Sequence, residues 1–472
     1  MAETVLGTWW ESKLVRRLET LCGIVVVGFL CRVATEEGFA WIGWVIAGIF
    51  VVLLTATRWP HGATVVLIGM SVMPRFFVEI FGWKARPEHF AAVIISVAVG
   101  IWFLRGKGQA RLQTLDYWVL AYVFFNFLSS ALASSAPSST LRWAFQNSLA
   151  VSSYFLIRWL VRDLRMLRYA FGVLLAVGVI ESVYGIFCYA SQQLFGTSFG
   201  VEIGAYLVDV PGTYGSLYEP NLFGAYTACC ATLFLSLYLF KGHDLRSLIC
   251  FLITSTAAVL SFSRAALLAL VITIGYVFWK NVRRKNESGN NVAVLALLSV
   301  SVLVVAVGSR GGVIRERFTN LFYEGLTEQT AISRFIVAQQ ALQEIPGHLL
   351  MGNGTASFNL SFDWSRYIPE WSGDGTWIGN APLRILHDTG LFGLTAFMGF
   401  FAVVAYKVRQ AWKDSKTPDV MLIGLSAGTL VYAISFESTD GTILAFSWIH
   451  LGLLASAVAL FSNSTELKNH AV

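Results

Sequence analysis

The chain has 472 residues, with a mean hydropathy of +0.63, 56% hydrophobic residues and only 13% charged residues. Soluble domains carry about 25% charged residues, so this composition excludes a large soluble core and predicts a polytopic membrane protein. The net charge of +6 does not predict a nucleic-acid partner, because the basic residues are spread between apolar segments and do not form one patch.

Apolar segments recur along the whole chain, and a membrane helix needs about 20 such residues. They predict an all-α fold of about 12–14 transmembrane helices. The candidate spans are 19–35, 40–57, 62–80, 89–104, 116–133, 144–161, 167–191, 222–240, 246–262, 264–280, 291–308, 382–406, 419–436 and 442–461. Pro74, Arg75 and Glu79 interrupt the third candidate, so we expect it to be kinked or partly re-entrant.

The basic residues predict the orientation, because Lys and Arg are enriched in cytoplasmic loops. With the N-terminus inside, most of the 34 Lys and Arg residues fall in cytoplasmic segments, and both termini are cytoplasmic. Lys13, Arg16 and Arg17 then precede an uncleaved first span, because no small-residue cleavage site follows.

Four regions follow from this topology. Residues 1–191 are N-terminal transmembrane helices, 192–308 are further helices with an outer loop, 309–381 form a periplasmic loop, and 382–472 are C-terminal transmembrane helices. Within the periplasmic loop, the apolar spacing of Ala331–Ile345 predicts an amphipathic helix that lies on the membrane. No internal repeat is visible, which weakens a transporter reading.

The cysteines do not predict a disulfide or metal-binding framework. All six of them lie in or at the edge of apolar segments without a Cys-x-x-Cys pair, so we expect free buried thiols.

Ser263-Arg264 forms an abrupt turn between two apolar segments. Ser263 can cap the helix that follows, and Arg264 would then lie at a helix N-terminus, where anions are favoured. Guanidinium grips phosphate with two bonds, which predicts a diphosphate ligand. The alternative is an interfacial arginine that reaches lipid headgroups.

Glu219-Pro220-Asn221 precedes the eighth candidate span. Pro220 favours a helix start, and Glu219 or Asn221 can cap that helix or face a cavity. Glu219 is also a candidate to bind sugar hydroxyls or to act as a base. Arg334, on the predicted amphipathic helix, either belongs to a solvated face or makes a second phosphate or glycan contact.

Arg384, His387 and Asp388 follow Asn380 closely. If this stretch is helical, Arg384 and Asp388 meet on one face with His387 beside them. Histidine titrates near neutral pH, so His387 is a candidate general base, although a lone histidine is more often structural.

Further acids are weaker candidates on the same outer side, namely Asp374, Glu437 and Asp440. Glu181 lies inside the seventh candidate span and either pairs with a buried partner or lines a cavity.

Gly379-Asn380, followed after nine residues by Gly390-Leu391-Phe392-Gly393, closely resembles a signature of bacterial O-antigen ligases and related polysaccharide polymerases. In the ligases a histidine usually occupies the position of Gly379. The resemblance covers roughly 200–460. It extends to Gly212-Thr213 with Glu219-Pro220-Asn221, Leu260–Ala265, Ser333-Arg334, His348–Gly354 and the C-terminal pair of helices.

This resemblance implies a membrane-embedded glycosyltransferase of the C type that needs no metal or cofactor. Its partners would be an undecaprenyl-diphosphate-linked glycan at the outer face of the bacterial inner membrane, and an acceptor glycan or lipid A–core. Arg264 and Arg334 would contact the donor diphosphate, and Asn380, with Asn221 and Arg384, would support the acceptor site. Since glycine cannot accept a proton, His387, Glu219 or Asp388 would replace the missing histidine, or no base is needed.

The missing histidine favours a polymerase of O-antigen, capsule or exopolysaccharide repeats that acts by an inverting displacement. A chain-length regulator is a further candidate partner. One alternative is an O-antigen ligase that transfers the glycan to lipid A–core. An alternative from another class is a lipid-linked oligosaccharide flippase or transporter.

Overall fold

The computed structural model describes residues 58–80, 83–106, 112–197, 199–202, 212–284, 329–367, 376–414 and 419–469, with the single positions 48, 52 and 55. The predicted spans 19–35 and 291–308, most of the span 40–57, and Asp374 lie outside the described residues.

Helices make up nearly all the secondary structure of the described chain. They are α1 (His61–Ser71), α2 (Pro87–Leu104), α3 (Thr114–Leu132), α4 (Pro137–Leu160), α5 (Leu164–Phe195), α6 (Pro220–Phe240), α7 (Leu245–Leu260), α8 (Arg264–Arg284), α9 (Gln329–Glu344), α10 (Ser357–Ser361), α11 (Ala381–Asp414), α12 (Val420–Ser435) and α13 (Ala445–Asn469). Short 3₁₀ turns occupy Pro346–His348 and Trp364–Arg366.

The strands are short and form two antiparallel pairs. β1 (Val78–Ile80) pairs with β2 (Trp83–Ala85), and β3 (Val201–Glu202) pairs with β4 (Gly212–Thr213). Glu79 lies opposite Lys84 in the first pair, and Val201 lies opposite Thr213 in the second.

Among the described helices, six are long and apolar enough to cross a bilayer: α2, α3, α5, α6, α8 and α11. α7, α12 and the Ala445–Phe461 part of α13 are shorter apolar helices. The protein is therefore an all-α polytopic membrane protein, as the composition predicts. The described cysteines Cys188, Cys229, Cys230 and Cys250 are free thiols.

The third predicted span is interrupted. Its helix α1 has 11 residues and ends at Ser71. At about 1.5 Å per residue it reaches about 16 Å, half of a hydrocarbon core of about 30 Å. The β1–β2 hairpin follows, so a continuous helix over 62–80 is excluded, and the break expected from Pro74 and Arg75 is confirmed.

α6 is the central helix. It is apolar on all sides and almost wholly buried, as expected for a helix without a solvent face. α7, α8 and α12 pack around it, while α3 packs on α11 and α4 on α13. Gly224 permits the close contact, because a Cβ there would lie 2.5 Å from Ser261 Oγ in the turn between α7 and α8.

Glu181 of α5 holds the segment before α6 inside the bundle. Its carboxylate accepts hydrogen bonds from the Ser216 backbone N–H at 2.8 Å and from the Ser216 hydroxyl at 2.7 Å. Gly215 has φ +56°, and a Cβ there would lie 2.2 Å from Glu181 Oε1, so only glycine fits. Of the two alternatives for Glu181, the buried partner is confirmed. The Ser216 hydroxyl also lies within hydrogen-bonding distance of the Val72 carbonyl just past α1, so this segment packs against the end of α1.

Candidate functional site

The sequence-predicted polar residues gather at one end of the bundle. We call this the polar end, formed by the starts of α2, α6, α8 and α11 and by the 436–443 turn before α13. Ala381 at the start of α11 donates its backbone N–H to the Phe436 carbonyl. A Cβ at Gly212 would lie 3.0 Å from both the Pro220 ring and the Ser261 carbonyl oxygen, so the starts of α6 and α8 adjoin.

Arg384 is a buried cation at the centre of the polar end, only 2% exposed. Its guanidinium contacts Asp388 at 3.1 Å, the helical i,i+4 pair that the sequence predicts. It also pairs with Asp440 and donates to the Thr442 hydroxyl at 2.8 Å. A buried cation is tolerated when such partners surround it, so Arg384 joins α11 to the 436–443 turn.

His387 is fully buried beside Arg384. Its Nδ1 lies 3.0 Å from Asp388 Oδ1, and its Nε2 lies 2.9 Å from Glu344 Oε2 at the end of α9. Both ring nitrogens are thus engaged by carboxylates. The side chain links α9 to α11 and offers no free nitrogen to a substrate in this arrangement.

A glycine-rich segment clasps α11 at its kink. The backbone N–H groups of Asn353 and Gly354 donate to the carbonyls of His387 and Asp388, and Leu391 donates to the Leu349 carbonyl. The Ala356 N–H donates to Asp388 Oδ2 at 2.9 Å. We call residues 349–356 the clasp.

Glycines make the clasp possible. Gly352 has φ +75°, and a Cβ there would lie 2.4 Å from the Asp388 carbonyl. Gly390 interrupts the helical geometry of α11 with φ 65° and ψ −166°, and its Cβ would meet the Leu350 carbonyl oxygen at 2.3 Å. Non-glycine residues rarely adopt such backbone angles, so these positions explain part of the Gly390–Gly393 motif.

Glu219 stands directly before α6, as predicted, but its carboxylate does not cap the helix. It accepts instead a hydrogen bond from the Thr439 hydroxyl in the 436–443 turn. Burial raises the pKa of the Glu219 carboxyl above its usual range, while the Thr439 hydrogen bond and the positive charge of Arg334 act against this rise. A half-buried carboxylate with a raised pKa suits a general base.

Arg334 lies on α9, where its side chain is exposed and its charge acts on Glu219. The structure therefore brings Arg334 to the polar end, although it is distant from Glu219 in sequence. α9 confirms the helix predicted over Ala331–Ile345.

Ser263 and Arg264 begin α8 as the sequence predicts. The Ser263 hydroxyl accepts a hydrogen bond from the Ala266 N–H at 3.4 Å, which caps the helix. Arg264 is the first helical residue and is half-buried. Its guanidinium is thus carried by a helix N-terminus, where the dipole also favours an anion.

Asn380 is a structural connector. Its Oδ1 accepts from the Leu383 N–H at 2.8 Å, and its Nδ2 donates to Glu437 Oε2 at 2.7 Å. The neighbouring Gly379 is open, because a Cβ there would meet only the Ser438 carbonyl oxygen, at 3.6 Å. Packing therefore does not exclude a Cβ at this position.

Asn221, the second residue of α6, is half-buried, and its side chain makes no hydrogen bond within the described part of the chain. Its amide is available to a ligand beside Glu219.

Arg86 is a residue of the polar end that sequence reasoning missed. It contacts Glu88 at 2.9 Å and His89 at 2.8 Å, and donates to the Ile443 carbonyl at 2.9 Å. The sequence contained a signal for this residue, because Arg86-Pro87-Glu88-His89 places three polar side chains directly at the edge of an apolar segment. Glu344, Thr439 and Thr442 gave no such signal.

Among the described residues, no three or more His, Cys, Asp or Glu side chains converge as the ligands of a metal ion would.

A family model described as O-antigen ligase matches residues 249–398. This range includes Arg264, the clasp and the Arg384–Asp388 cluster, and it ends inside α11. The resemblance stated from the motifs is confirmed over these residues. A comparison with curated proteins gives no match.

Proposed function

We propose that the protein polymerises lipid-linked glycan repeat units. The O-antigen ligase match and the multi-pass fold support a membrane glycosyltransferase of the ligase or polymerase type. The donor is an undecaprenyl-diphosphate-linked glycan, and the acceptor is a second lipid-linked repeat. The polar end faces the periplasm of the bacterial inner membrane, and both termini are cytoplasmic. The single observation that carries the proposal is the convergence of Arg334, Glu219 and the start of α8 at one end of an apolar bundle.

In this mechanism Arg264 and Arg334 bind the donor diphosphate. An acceptor hydroxyl attacks the anomeric carbon of the donor sugar, and the bond from that carbon to the diphosphate oxygen breaks. Undecaprenyl diphosphate leaves with the electron pair, and the configuration inverts. Each arginine stabilises the developing charge by about 2.7–4 kcal/mol, by analogy with one oxyanion donor.

Glu219 accepts the proton of the acceptor hydroxyl. Its half-buried carboxylate and its raised pKa suit this role better than the fully enclosed His387 or Asp388. Asn221 is placed to hydrogen-bond a sugar hydroxyl beside it. Asn380, Arg384, His387 and Asp388 position the α11 side of the site.

A ligase that transfers the glycan to lipid A–core is the second candidate, favoured by the description of the matching family. A flippase is the candidate from another class, and it is disfavoured because the charged groups proposed to bind the substrate, Arg264, Glu219 and Arg334, all lie at the polar end.

Replacement of Arg264 by alanine tests the donor site. We expect Arg264→Ala to lower turnover of a lipid-diphosphate donor about 10²–10³-fold, as for loss of one oxyanion donor. Arg246→Ala is the matched control, because Arg246 is an exposed arginine at the start of α7, at the opposite end of the bundle. Turnover in detergent or liposomes, measured beside thermal unfolding, decides the question. Equal activity of both variants would contradict the diphosphate assignment.

A further inference from the structure

A small cavity with a largely apolar lining lies at the polar end. It has a volume of about 20 Å³ and is lined in part by Arg86, Trp143, Gln146, Asn147, Trp377 and Arg384. Ile443 also contributes to its wall, so the 436–443 turn contacts both the cavity and Glu219, which accepts a hydrogen bond from Thr439 of the same turn. A cavity of this size holds one water molecule or one hydroxyl group.

Two amides lining this cavity have unused hydrogen-bonding groups. Gln146 is only 5% exposed, yet its side chain makes no hydrogen bond within the described residues. Asn147 donates to Asn126 Oδ1 at 3.2 Å, but its own Oδ1 is buried without a partner. Buried amides are normally satisfied, so this pair indicates a polar guest that both donates and accepts.

The charges around the cavity are already compensated. Arg86 is engaged by Glu88 and His89, and Arg384 is engaged by Asp388 and Asp440. An anionic guest would have to compete with these carboxylates. The cavity is therefore suited to a neutral hydroxyl and not to a phosphate or a uronate.

Two indoles stand at the same cavity. The rings of Trp143 and Trp377 meet edge to face, with centroids 5.0 Å apart. Both side chains are half-buried, so part of each ring stays outside the protein core. An indole offers a flat apolar surface with a polar tip, and such a surface accommodates the C–H face of a sugar ring.

We propose that this cavity is a sugar subsite. It receives a hydroxyl or hydroxymethyl group of a neutral hexose, whose ring lies against Trp143 and Trp377. Gln146 and the Asn147 carbonyl oxygen bind the hydroxyl. The identification of this hexose as part of the acceptor glycan rests on the proposed transferase function, whereas the sugar binding itself does not.

Saturation-transfer NMR on the full-length protein in lipid nanodiscs tests the subsite. The probes are the methyl glycosides of glucose, galactose, mannose and N-acetylglucosamine, with glucuronate as the charged comparison. We expect at least one neutral glycoside to bind and glucuronate to bind more weakly. Gln146→Leu removes the hydrogen bonds at nearly constant volume and should weaken binding about two- to tenfold. Trp377→Ala, which changes the indole surface and leaves both amides in place, should also weaken it.

Matched controls are Gln410→Leu and Trp279→Ala, because Gln410 and Trp279 are exposed and do not line the cavity. Thermal unfolding checks that each variant is folded. Binding that is equal in the wild type, Gln146→Leu and Trp377→Ala would overturn the subsite, as would the failure of every neutral glycoside to bind, and either result would mean that the cavity holds water only.

Donor cleavage by water, measured without acceptor, separates this proposal from the proposed function. We expect Gln146→Leu to retain donor cleavage and to raise the KM for the acceptor. If the wild type binds a neutral glycoside at this cavity but cleaves no donor, the transferase proposal fails while the sugar subsite stands.

Discussion

Glu219 and His387 are the two candidates for the base that removes the acceptor proton in the proposed transfer, and their surroundings differ. Glu219 is half-buried, accepts one hydrogen bond from Thr439 and faces the charge of Arg334. His387 is enclosed between Asp388 and Glu344. A base must reach its proton, and on this ground Glu219 is the better candidate.

The pH dependence of activity distinguishes the two residues. Because burial raises the pKa of Glu219, the base is protonated and inactive below that raised pKa, so activity falls with decreasing pH earlier than for an ordinary carboxylate. We expect Glu219→Gln to lose about 10²-fold or more in kcat and to lose this acidic limb of the profile.

His387→Gln is the matched variant. It leaves carboxylates of Asp388 and Glu344 less well satisfied, so we expect a lower unfolding temperature and an unchanged acidic limb. Loss of the limb in His387→Gln, with the limb intact in Glu219→Gln, would instead make His387 the base. Profiles of kcat/KM against pH for the three proteins give the answer.

Gly379 has room for a Cβ. A Cβ there meets only the Ser438 carbonyl oxygen, at 3.6 Å, and the backbone has no positive φ. We therefore expect Gly379→His to fold with a stability within about 0.5 kcal/mol of the wild type, as for other unstrained surface substitutions. A large drop in the unfolding temperature would show that glycine is required here by packing.

At the scale of elements, the clasp and the kink of α11 form one unit. Residues of the clasp form backbone hydrogen bonds with α11 on both sides of Gly390. Ser129 of α3 donates a hydrogen bond to the Asp388 carbonyl at 2.6 Å. The clasp therefore fixes the α11 residues that carry Arg384 and Asp388. The glycines of the motif thus have a backbone explanation that is independent of catalysis.

Gly352→Ala tests the clasp. The new methyl would meet the Asp388 carbonyl at 2.4 Å in a backbone with φ +75°, so we expect a loss of about 2–4 kcal/mol in stability. Gly347→Ala is the control, because a Cβ at Gly347 meets nothing within 4 Å. Thermal unfolding in detergent compares them, and equal unfolding temperatures would contradict the account of the clasp.

The elements were largely predictable from the sequence, because long apolar runs and helix starts are local signals. Pro220 and Ser263 mark two helix starts correctly, and Arg384 and Asp388 pair as their spacing predicts. The interruption of α1 also followed from Pro74 and Arg75.

The partners across the bundle could not be predicted. The pairing of Glu181 with Ser216, of Asn380 with Glu437 and of Glu219 with Thr439 depends on tertiary packing between distant segments. α9 illustrates the same limit, because the apolar spacing did not predict that Val337 and Ala341 are buried while Phe335 and Leu342 are exposed. That α9 lies on a membrane stays a prediction.

At the scale of the whole molecule, the apolar bundle and its polar end divide the work. In the proposed function, the bundle around α6 holds the site in the bilayer, where a lipid-linked donor reaches it by lateral diffusion. The polar end gathers the charged groups that we propose bind the donor, and residues of α4 line the proposed sugar subsite. This division explains why the same composition that excludes a soluble enzyme is compatible with glycosyl transfer.

The most direct test of the central claim is reconstitution of the purified protein in liposomes with a defined undecaprenyl-diphosphate-linked repeat unit, followed by gel and mass analysis with and without lipid A–core. We predict a ladder of lipid-linked oligomers without lipid A–core, and its loss in Arg264→Ala but not in Arg246→Ala. Product that forms only when lipid A–core is present would contradict the polymerase and establish a ligase. The absence of any product with several repeat units would contradict the glycosyltransferase itself.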